Sequence, residues 1–295
     1  MRLLQRPHHR RRWRPDDVRR PIKTNERFFK YHGLGNDFIV VDRRLRGVDI
    51  DAETSRAWCD RNRGVGADGV LVILPAPGLA GKMVVHNADG SIAEMCGNGL
   101  RCVVKHLAEG SSASPVPKEL SVVTGAGTLV SQLDWEGTQV SRITVAMGPA
   151  KLEAKQLPNG GPFIDKEIGG VRGTAVSMGN PHLVLLDTPP ERAGELGAAL
   201  EVHPLFEQRT NVSFCKPRPE GGLRVAVWER GVGLTLACGT AACASVVAHA
   251  LAGRAPFDAW VPVQLPGGIL EIKAAADLSQ VWLRGPAEKV YEGTL

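Results

Sequence analysis

The sequence predicts an α+β protein of two structurally similar lobes, each a mixed or antiparallel sheet wrapped around a central helix, with a cleft between them. The first observation is a repeated dipeptide: Cys96-Gly97 and Cys238-Gly239 each precede a run of helical character. The second is that short strand-like runs flank both of these helices. The third is the composition, because 34 glycines and 5% aromatic residues suit a strand-rich protein with many tight turns.

The first half of the chain alternates strand-like runs and turns around one amphipathic helix. After Cys96 the apolar residues recur at the spacing of a single helix face. They are Leu100, Val103, Val104, Leu107 and Ala108. A short helix is predicted over 52–63 and a glycine turn over 64–69. Strands are predicted at 28–31, 38–42, 70–74, 83–87, 119–123, 127–133 and 139–147.

The second half repeats this order of elements. The run after Cys238 is apolar on nearly all sides, which predicts a helix buried within sheet. Strands are predicted at 174–177, 182–186, 211–216, 223–229, 261–265, 269–272 and 280–284. The two halves match in sequence only at the Cys-Gly turns, so the predicted duplication is one of structure.

Charge separates a basic N-terminal extension from a near-neutral body. Residues 1–27 hold ten basic and three acidic side chains, whereas the other 268 residues hold 26 basic and 28 acidic ones. We expect 1–27 to be a disordered extension, 28–147 the N-terminal lobe and 148–285 the C-terminal lobe. A nucleic-acid partner is not expected, since the body gives no reason for one and the extension alone could support it. A membrane span is not expected either, because no apolar run approaches the roughly 18 residues required.

The six cysteines indicate neither a disulfide framework nor a zinc site. The chain has no C-x-x-C motif, and the Cys96 to Cys102 and Cys238 to Cys243 spacings are poor for zinc ligands. We expect Cys59, Cys102, Cys215 and Cys243 to be buried as small apolar residues, and we expect no metal.

Cys96 and Cys238 are different, because each precedes a helix whose dipole and free N–H groups favour an anion and lower a thiol pKa. Removing a proton from one face of a carbon and returning one to the other face needs a base and an acid on opposite sides. Two thiols can fill both roles without a cofactor. The G-x-G-x-x-G spacing at 64–69 is no dinucleotide site, since a strand follows where that motif needs a helix.

These motifs resemble those of the diaminopimelate epimerases, collinearly from about residue 28 to the end. The resemblance implies a two-lobed fold with the active site in the cleft and a final segment, 286–295, returning to the N-terminal lobe. It implies a cofactor-independent epimerase that interconverts LL- and meso-2,6-diaminopimelate in lysine and peptidoglycan precursor biosynthesis, as a cytoplasmic homodimer. The matching segments are 32–38, 64–69, 87–91, 94–102, 177–182, Asn211, 229–231 and 237–240.

The resemblance also implies a role for each matching residue. Cys96 and Cys238 correspond to the two bases, and His182 and Glu229 to the residues that exchange protons with them. Gly97, Asn98, Gly239 and Thr240 correspond to the clamp on the reacting carboxylate. The substrate shell corresponds to Asn36, Asn87, Asn180, Asn211, Glu229 and Arg230, with the arginine fork suited to a distal carboxylate. The chain departs from the family pattern at Gly69, Leu234 and Ala241.

Two other functions remain open. A proline or hydroxyproline racemase also uses a cysteine pair, but Asn98 and Arg230 favour the longer substrate with two carboxylates. A non-enzymatic or isomerase-like relative of the same fold would lack the two thiols.

Overall fold

The computed structural model describes residues 25–295, and within that range the strands of both halves join into one sheet of 18 strands. The elements of the first half are β1 (Arg27–Gly33), β2 (Asn36–Asp42), α1 (Ala52–Cys59), β3 (Gly69–Leu74), β4 (Gly81–Asn87), β5 (Ile92–Ala93), α2 (Gly97–Glu109), β6 (Glu119–Thr124), β7 (Gly127–Glu136) and β8 (Gln139–Gly148). The elements of the second half are β9 (Lys166–Ile168), β10 (Val171–Ser177), β11 (Pro181–Leu185), α3 (Ala193–Glu201), β12 (Asn211–Pro217), β13 (Leu223–Glu229), β14 (Gly233–Thr235), α4 (Gly239–Leu251), β15 (Val261–Leu265), β16 (Gly268–Ala274), β17 (Val281–Gly285) and β18 (Glu288–Thr294).

Strand pairing repeats between the halves. In the first half β1–β2 is antiparallel, β2–β3 parallel, β3–β4 antiparallel, β4–β6 parallel, and β6–β7 and β7–β8 antiparallel. The strands β10, β11, β12, β13, β15, β16 and β17 follow the same sequence of pairings. The predicted α+β fold of two similar lobes is confirmed.

The four α-helices found within residues 25–295 follow from this topology. Parallel neighbours need a crossover connection, which is usually a helix. In each half one helix connects the first parallel pair, α1 or α3, and another connects the second, α2 or α4. The helices of the second crossover in each half, α2 and α4, have the same length of 13 residues.

Two strand pairs and a shared core connect the halves. β8 pairs antiparallel with β17, and β18 pairs antiparallel with β1 at the start of the chain. One apolar core contains residues of both central helices, among them Leu100 and Val246. Helix α4 is buried over 11 of its 13 residues, as its apolar sequence predicted.

Three differences from the sequence-based expectation concern the helices and the start of the folded body. The first helix ends at Cys59 rather than at 63, because Asp60 accepts the N–H groups of Asn62 and Arg63 and turns the chain. Helix α3 was not predicted, since its Ala- and Gly-rich sequence has no apolar stripe. Arg27 already begins β1, so the folded body reaches into the expected extension, most of which lies outside the described residues.

The remaining cysteines are as predicted: Cys59, Cys102, Cys215 and Cys243 are buried free thiols. Between residues 25 and 295 no group of three or more His, Cys, Asp or Glu side chains could hold a metal ion. No helix in this part of the chain has the length and apolarity to cross a membrane.

Candidate active site

The two cysteines predicted to be reactive cap the two central helices. Cys96 precedes α2 and Cys238 precedes α4, each with an extended backbone. The two turns touch, because the Asn98 side-chain amide donates to the carbonyl of Ala237, the residue before Cys238, at 3.2 Å. The topology therefore brings together two motifs that are 142 positions apart in the sequence.

Burial decides the protonation of both thiols. It raises the pKa of Cys96, although the Gly99 N–H that donates to its Sγ at 3.4 Å opposes the rise. It raises the pKa of Cys238 further, and the charge of Glu229 adds to that effect. The lowering expected from the helix N-termini is therefore outweighed by desolvation, and both thiols keep their protons at neutral pH.

Glu229 lies beside Cys238. It ends β13 and accepts a hydrogen bond from the Thr235 hydroxyl at 2.6 Å, and its interaction with the Cys238 thiol lowers its pKa. Burial raises the pKa of Glu229, and its charge also acts on Cys96. This carboxyl group is therefore suited to exchange a proton with a thiol.

His182 reaches a thiol only through other side chains. It is fully buried, and its Nε2 is 3.0 Å from Asn180 Oδ1. The Asn180 amide donates to the Thr240 hydroxyl at 3.3 Å, and that oxygen lies 3.5 Å from Cys238 Sγ. Burial, with a smaller effect from Arg230, lowers the pKa of His182 to about 3, so the imidazole is neutral. No direct hydrogen bond joins it to either thiol within the described residues.

The N-terminal lobe contributes Asn36 and Asn98 as a connected pair. The Asn98 amide donates to Asn36 Oδ1 at 3.2 Å, and the Asn36 amide donates to Asp68 at 2.8 Å. Asp68 also accepts from Arg61. Asn87 is separate: at the end of β4 its amide donates to Ser91 at 2.9 Å.

The C-terminal lobe contributes Asn211 and Arg230. Asn211 accepts the backbone N–H of Arg230 at 3.0 Å and donates to the carbonyl of Pro181 at 2.9 Å. The guanidinium of Arg230 is exposed and donates to the carbonyl of Gln208. Among the described residues, its other guanidinium donors form no further hydrogen bond or ion pair.

The residues expected to form the carboxylate clamp offer backbone groups. Gly97, Asn98, Gly239 and Thr240 form the first turns of the two helices, where N–H groups have no carbonyl partner within the helix. A side chain at Gly97 would meet Met147 at 3.4 Å, and one at Gly239 would meet Leu283 at 3.0 Å. Glycine thus keeps both turns accessible.

Sequence reasoning assigned no role to three residues that touch this site. Asp68 orients Asn36, Arg101 contacts Asn98, and Glu201 accepts the N–H of Gly231. A signal existed for Arg101, because a charged residue within the apolar positions of a predicted helix is unusual. Nothing local marked Glu201, which lies in the unpredicted helix α3.

The fold places the chain among proteins of known structure. Solved structures with this architecture include a hydroxyproline epimerase from Agrobacterium vitis, with a TM-score of 0.66 and 16% identity over 92% of this chain and 90% of that one. A phenazine biosynthesis protein from Bacillus anthracis has a TM-score of 0.68 and 14% identity over 92% and 98%. At these identities they show the fold alone.

Sequence comparison identifies the family. The diaminopimelate epimerase family model matches residues 28–153 and 174–290. The diaminopimelate epimerase of Synechococcus elongatus is 43% identical over 91% of this chain and 97% of its own length. That of Moorella thermoacetica is 42% identical over 90% and 98%. The chain belongs to the diaminopimelate epimerase family and is an isomerase.

Proposed function

We propose that this protein interconverts LL- and meso-2,6-diaminopimelate without a cofactor. The observation that carries the proposal is the contact between two cysteine-capped helix N-termini, one from each of two lobes with the same topology. In the proposed reaction the substrate α-carbon lies between these two turns, with one thiol on each side. Family membership supports the choice of substrate.

Proton transfer begins with the ionisation of one thiol. When Cys238 is the base, the adjacent Glu229 carboxylate takes the thiol proton. The Cys238 thiolate then removes the α-proton, and the Cys96 thiol donates its proton to the opposite face. The reverse direction retraces these steps: the Cys96 thiolate left by the forward reaction removes the α-proton, and the Cys238 thiol returns one to the opposite face. The N–H groups of the first helical turns stabilise the charge that develops on the substrate carboxylate.

The polar shell supports a substrate with two amino-acid ends. The exposed guanidinium of Arg230 offers a fork for a distal carboxylate. The side-chain oxygens of Asn36, Asn87, Asn180 and Asn211 can accept from ammonium groups. We further propose that the protein acts in lysine and peptidoglycan precursor biosynthesis, as a cytoplasmic homodimer with lobes at 28–147 and 148–285.

A proline-type racemase is the second candidate, because a hydroxyproline epimerase shares the fold. A ring substrate with a single carboxylate would leave Arg230 without a partner. The two candidates therefore differ in whether that guanidinium contributes to binding.

The test is to incubate the reduced protein with LL-diaminopimelate in D2O and to follow stereochemistry and α-deuterium. We expect meso product with solvent deuterium at one α-carbon. Cys96→Ser and Cys238→Ser should lose this conversion, whereas Cys59→Ala, which changes a buried thiol in α1, should retain it. Absence of conversion and exchange, with turnover of proline or hydroxyproline instead, would overturn the proposal.

A further inference from the structure

Arg101 is a completely buried cation next to the Cys96 turn. Its side chain is 0% exposed, and it forms no ion pair with a carboxylate in the described part of the chain. Its Nε donates to the carbonyl of Pro286 at 2.9 Å. The two terminal nitrogens donate to the carbonyl of Gly97 at 3.3 Å and to Asn98 Oδ1 at 3.0 Å.

The surrounding backbone leaves room for this guanidinium. A side chain at Gly33 would place its Cβ 2.9 Å from a terminal nitrogen of Arg101, and one at Gly285 would lie 3.5 Å from Nε. Two strands of the sheet, β1 and β17, thus contribute glycines where the cation sits. Burying a charge without an opposite charge costs folding free energy. A buried Arg101 that has only neutral hydrogen-bond acceptors therefore suggests a functional reason for keeping the charge.

The cation breaks the symmetry between the two halves. Counting five residues from each capping cysteine, Arg101 in α2 corresponds to Cys243 in α4. The charged groups around the two thiols also differ, although Glu229 acts on both. Glu229 contacts Cys238 and acts on Cys96 from β13, whereas Arg101 acts on Cys96 from its own helix.

Arg101 also begins a chain of hydrogen bonds between the lobes. It holds Asn98 Oδ1, which leaves the Asn98 amide nitrogen to donate to Asn36 and to the carbonyl of Ala237. The orientation of the Asn98 carboxamide therefore determines its contacts with Asn36 in the N-terminal lobe and with the Ala237 carbonyl before Cys238.

We propose that Arg101 is the positioning residue of the Cys96 half-site. Its guanidinium fixes the Asn98 carboxamide and the Gly97 carbonyl, and its charge favours the thiolate of Cys96 over that of Cys238. The catalytic consequence rests on the proposed epimerase function, whereas the effect on the thiol does not. The direction agrees with the electrostatics, since the guanidinium lowers the pKa of Cys96, against larger opposing effects from burial and from the charge of Glu229.

The decisive experiment compares the two thiols within one protein. Reduced protein is treated briefly with limiting iodoacetamide across a pH series, and labelling of the Cys96 and Cys238 peptides is measured by mass spectrometry. Only the thiolate reacts, so the midpoint of each labelling curve reports its ionisation. In Arg101→Met we expect the Cys96 midpoint to rise by about one pH unit or more, with a smaller change at Cys238.

A matched variant controls for the loss of an arginine. Arg192→Met removes a surface guanidinium that pairs with Glu195, and it should leave both midpoints unchanged. If the two midpoints of Arg101→Met move equally, or neither moves, the proposal is wrong. This readout is independent of diaminopimelate turnover, so it still decides the role of Arg101 if the proposed function fails.

Arg101→Lys separates charge from geometry and covers the case in which the methionine variant does not fold. A lysine keeps the positive charge but cannot form the three-way fork. We expect a Cys96 midpoint close to the original, with kcat for diaminopimelate about 10- to 100-fold lower because the clamp is misplaced. An unchanged kcat would contradict the positioning role, and an upward Cys96 shift as large as that expected for methionine would contradict the effect of charge.

Discussion

Cys96 and Cys238 occupy equivalent places at helix N-termini, yet their surroundings differ. Cys238 interacts electrostatically with Glu229, a carboxyl group that can accept its proton. Cys96 has the N–H of Gly99 and the buried Arg101 nearby. Burial raises the pKa of both thiols and keeps them protonated at rest. The charge of Glu229 adds to this effect at Cys238, whereas Gly99 and Arg101 oppose it at Cys96. At the scale of residues, one repeated motif therefore produces two distinct acid–base environments.

The burial of His182 predicts a pH-dependent stability. Because its folded pKa is about 3 and its unfolded value about 6.5, the unfolded state binds more protons between these pH values. Stability should therefore be complete above pH 6.5 and fall as pH decreases towards 3. The contribution of His182 is at most about 1.4 kcal/mol per pH unit. Urea titrations of wild type and His182→Gln should show a shallower dependence in the variant, and equal slopes would contradict this.

At the scale of elements, helix α3 supports the loop that follows β13. The Glu201 carboxylate accepts from the Trp228 indole at 2.8 Å and from the Gly231 N–H at 2.9 Å. These donors lie immediately before and after the Glu229-Arg230 pair. A helix that no sequence pattern predicted thus fixes the position of two proposed site residues.

Glu201→Gln should weaken substrate binding, because the amide cannot accept both hydrogen bonds. Losing a hydrogen bond to a charged acceptor costs about 1.5–3 kcal/mol. We expect KM for diaminopimelate to rise about tenfold with a smaller change in kcat, measured by steady-state kinetics. Glu195→Gln is the matched control, since this exposed residue of α3 pairs only with Arg192 among its described salt bridges. An unchanged KM in Glu201→Gln would contradict this support role.

At the scale of the molecule, the lobes share both a sheet and a core. Leu283 of β17 is paired with Val145 of β8 in the sheet. Its side chain also lies close to Gly239 at the start of α4. The same apolar cluster includes residues of both central helices. We infer that the two lobes stabilise each other and that the geometry of the cleft depends on both.

This shared core predicts one cooperative unfolding transition. Far-ultraviolet circular dichroism and tryptophan fluorescence should give the same denaturant midpoint. Leu283→Ala, at a fully buried position, should lower the free energy of unfolding by about 2–5 kcal/mol without separating the two curves. Val290→Ala, in the exposed face of β18, should change it by about 0.5 kcal/mol or less. Two separate midpoints would show that the lobes unfold independently.

Much of this fold could be predicted because its signals are local. Alternating strands and the apolar faces of α2 and α4 depend on residue spacing, and the structure has them close to the predicted bounds. Helix α3 lacked such a signal. The site residues near the two Cys-Gly turns were identified by motif, whereas Asp68 and Glu201 act through contacts with residues distant in the sequence.

The sequence by itself determined the two cysteine-capped helices, the duplicated order of strands and the family. These depend on side-chain periodicity and on short motifs, which local physical chemistry can interpret. Only the tertiary structure decided how the two halves meet and which residues neighbour each thiol. It places Glu229 beside Cys238, and it connects His182 to Cys238 only through Asn180 and Thr240. It also reversed the expected direction of the thiol pKa values, because desolvation depends on everything that packs around a group.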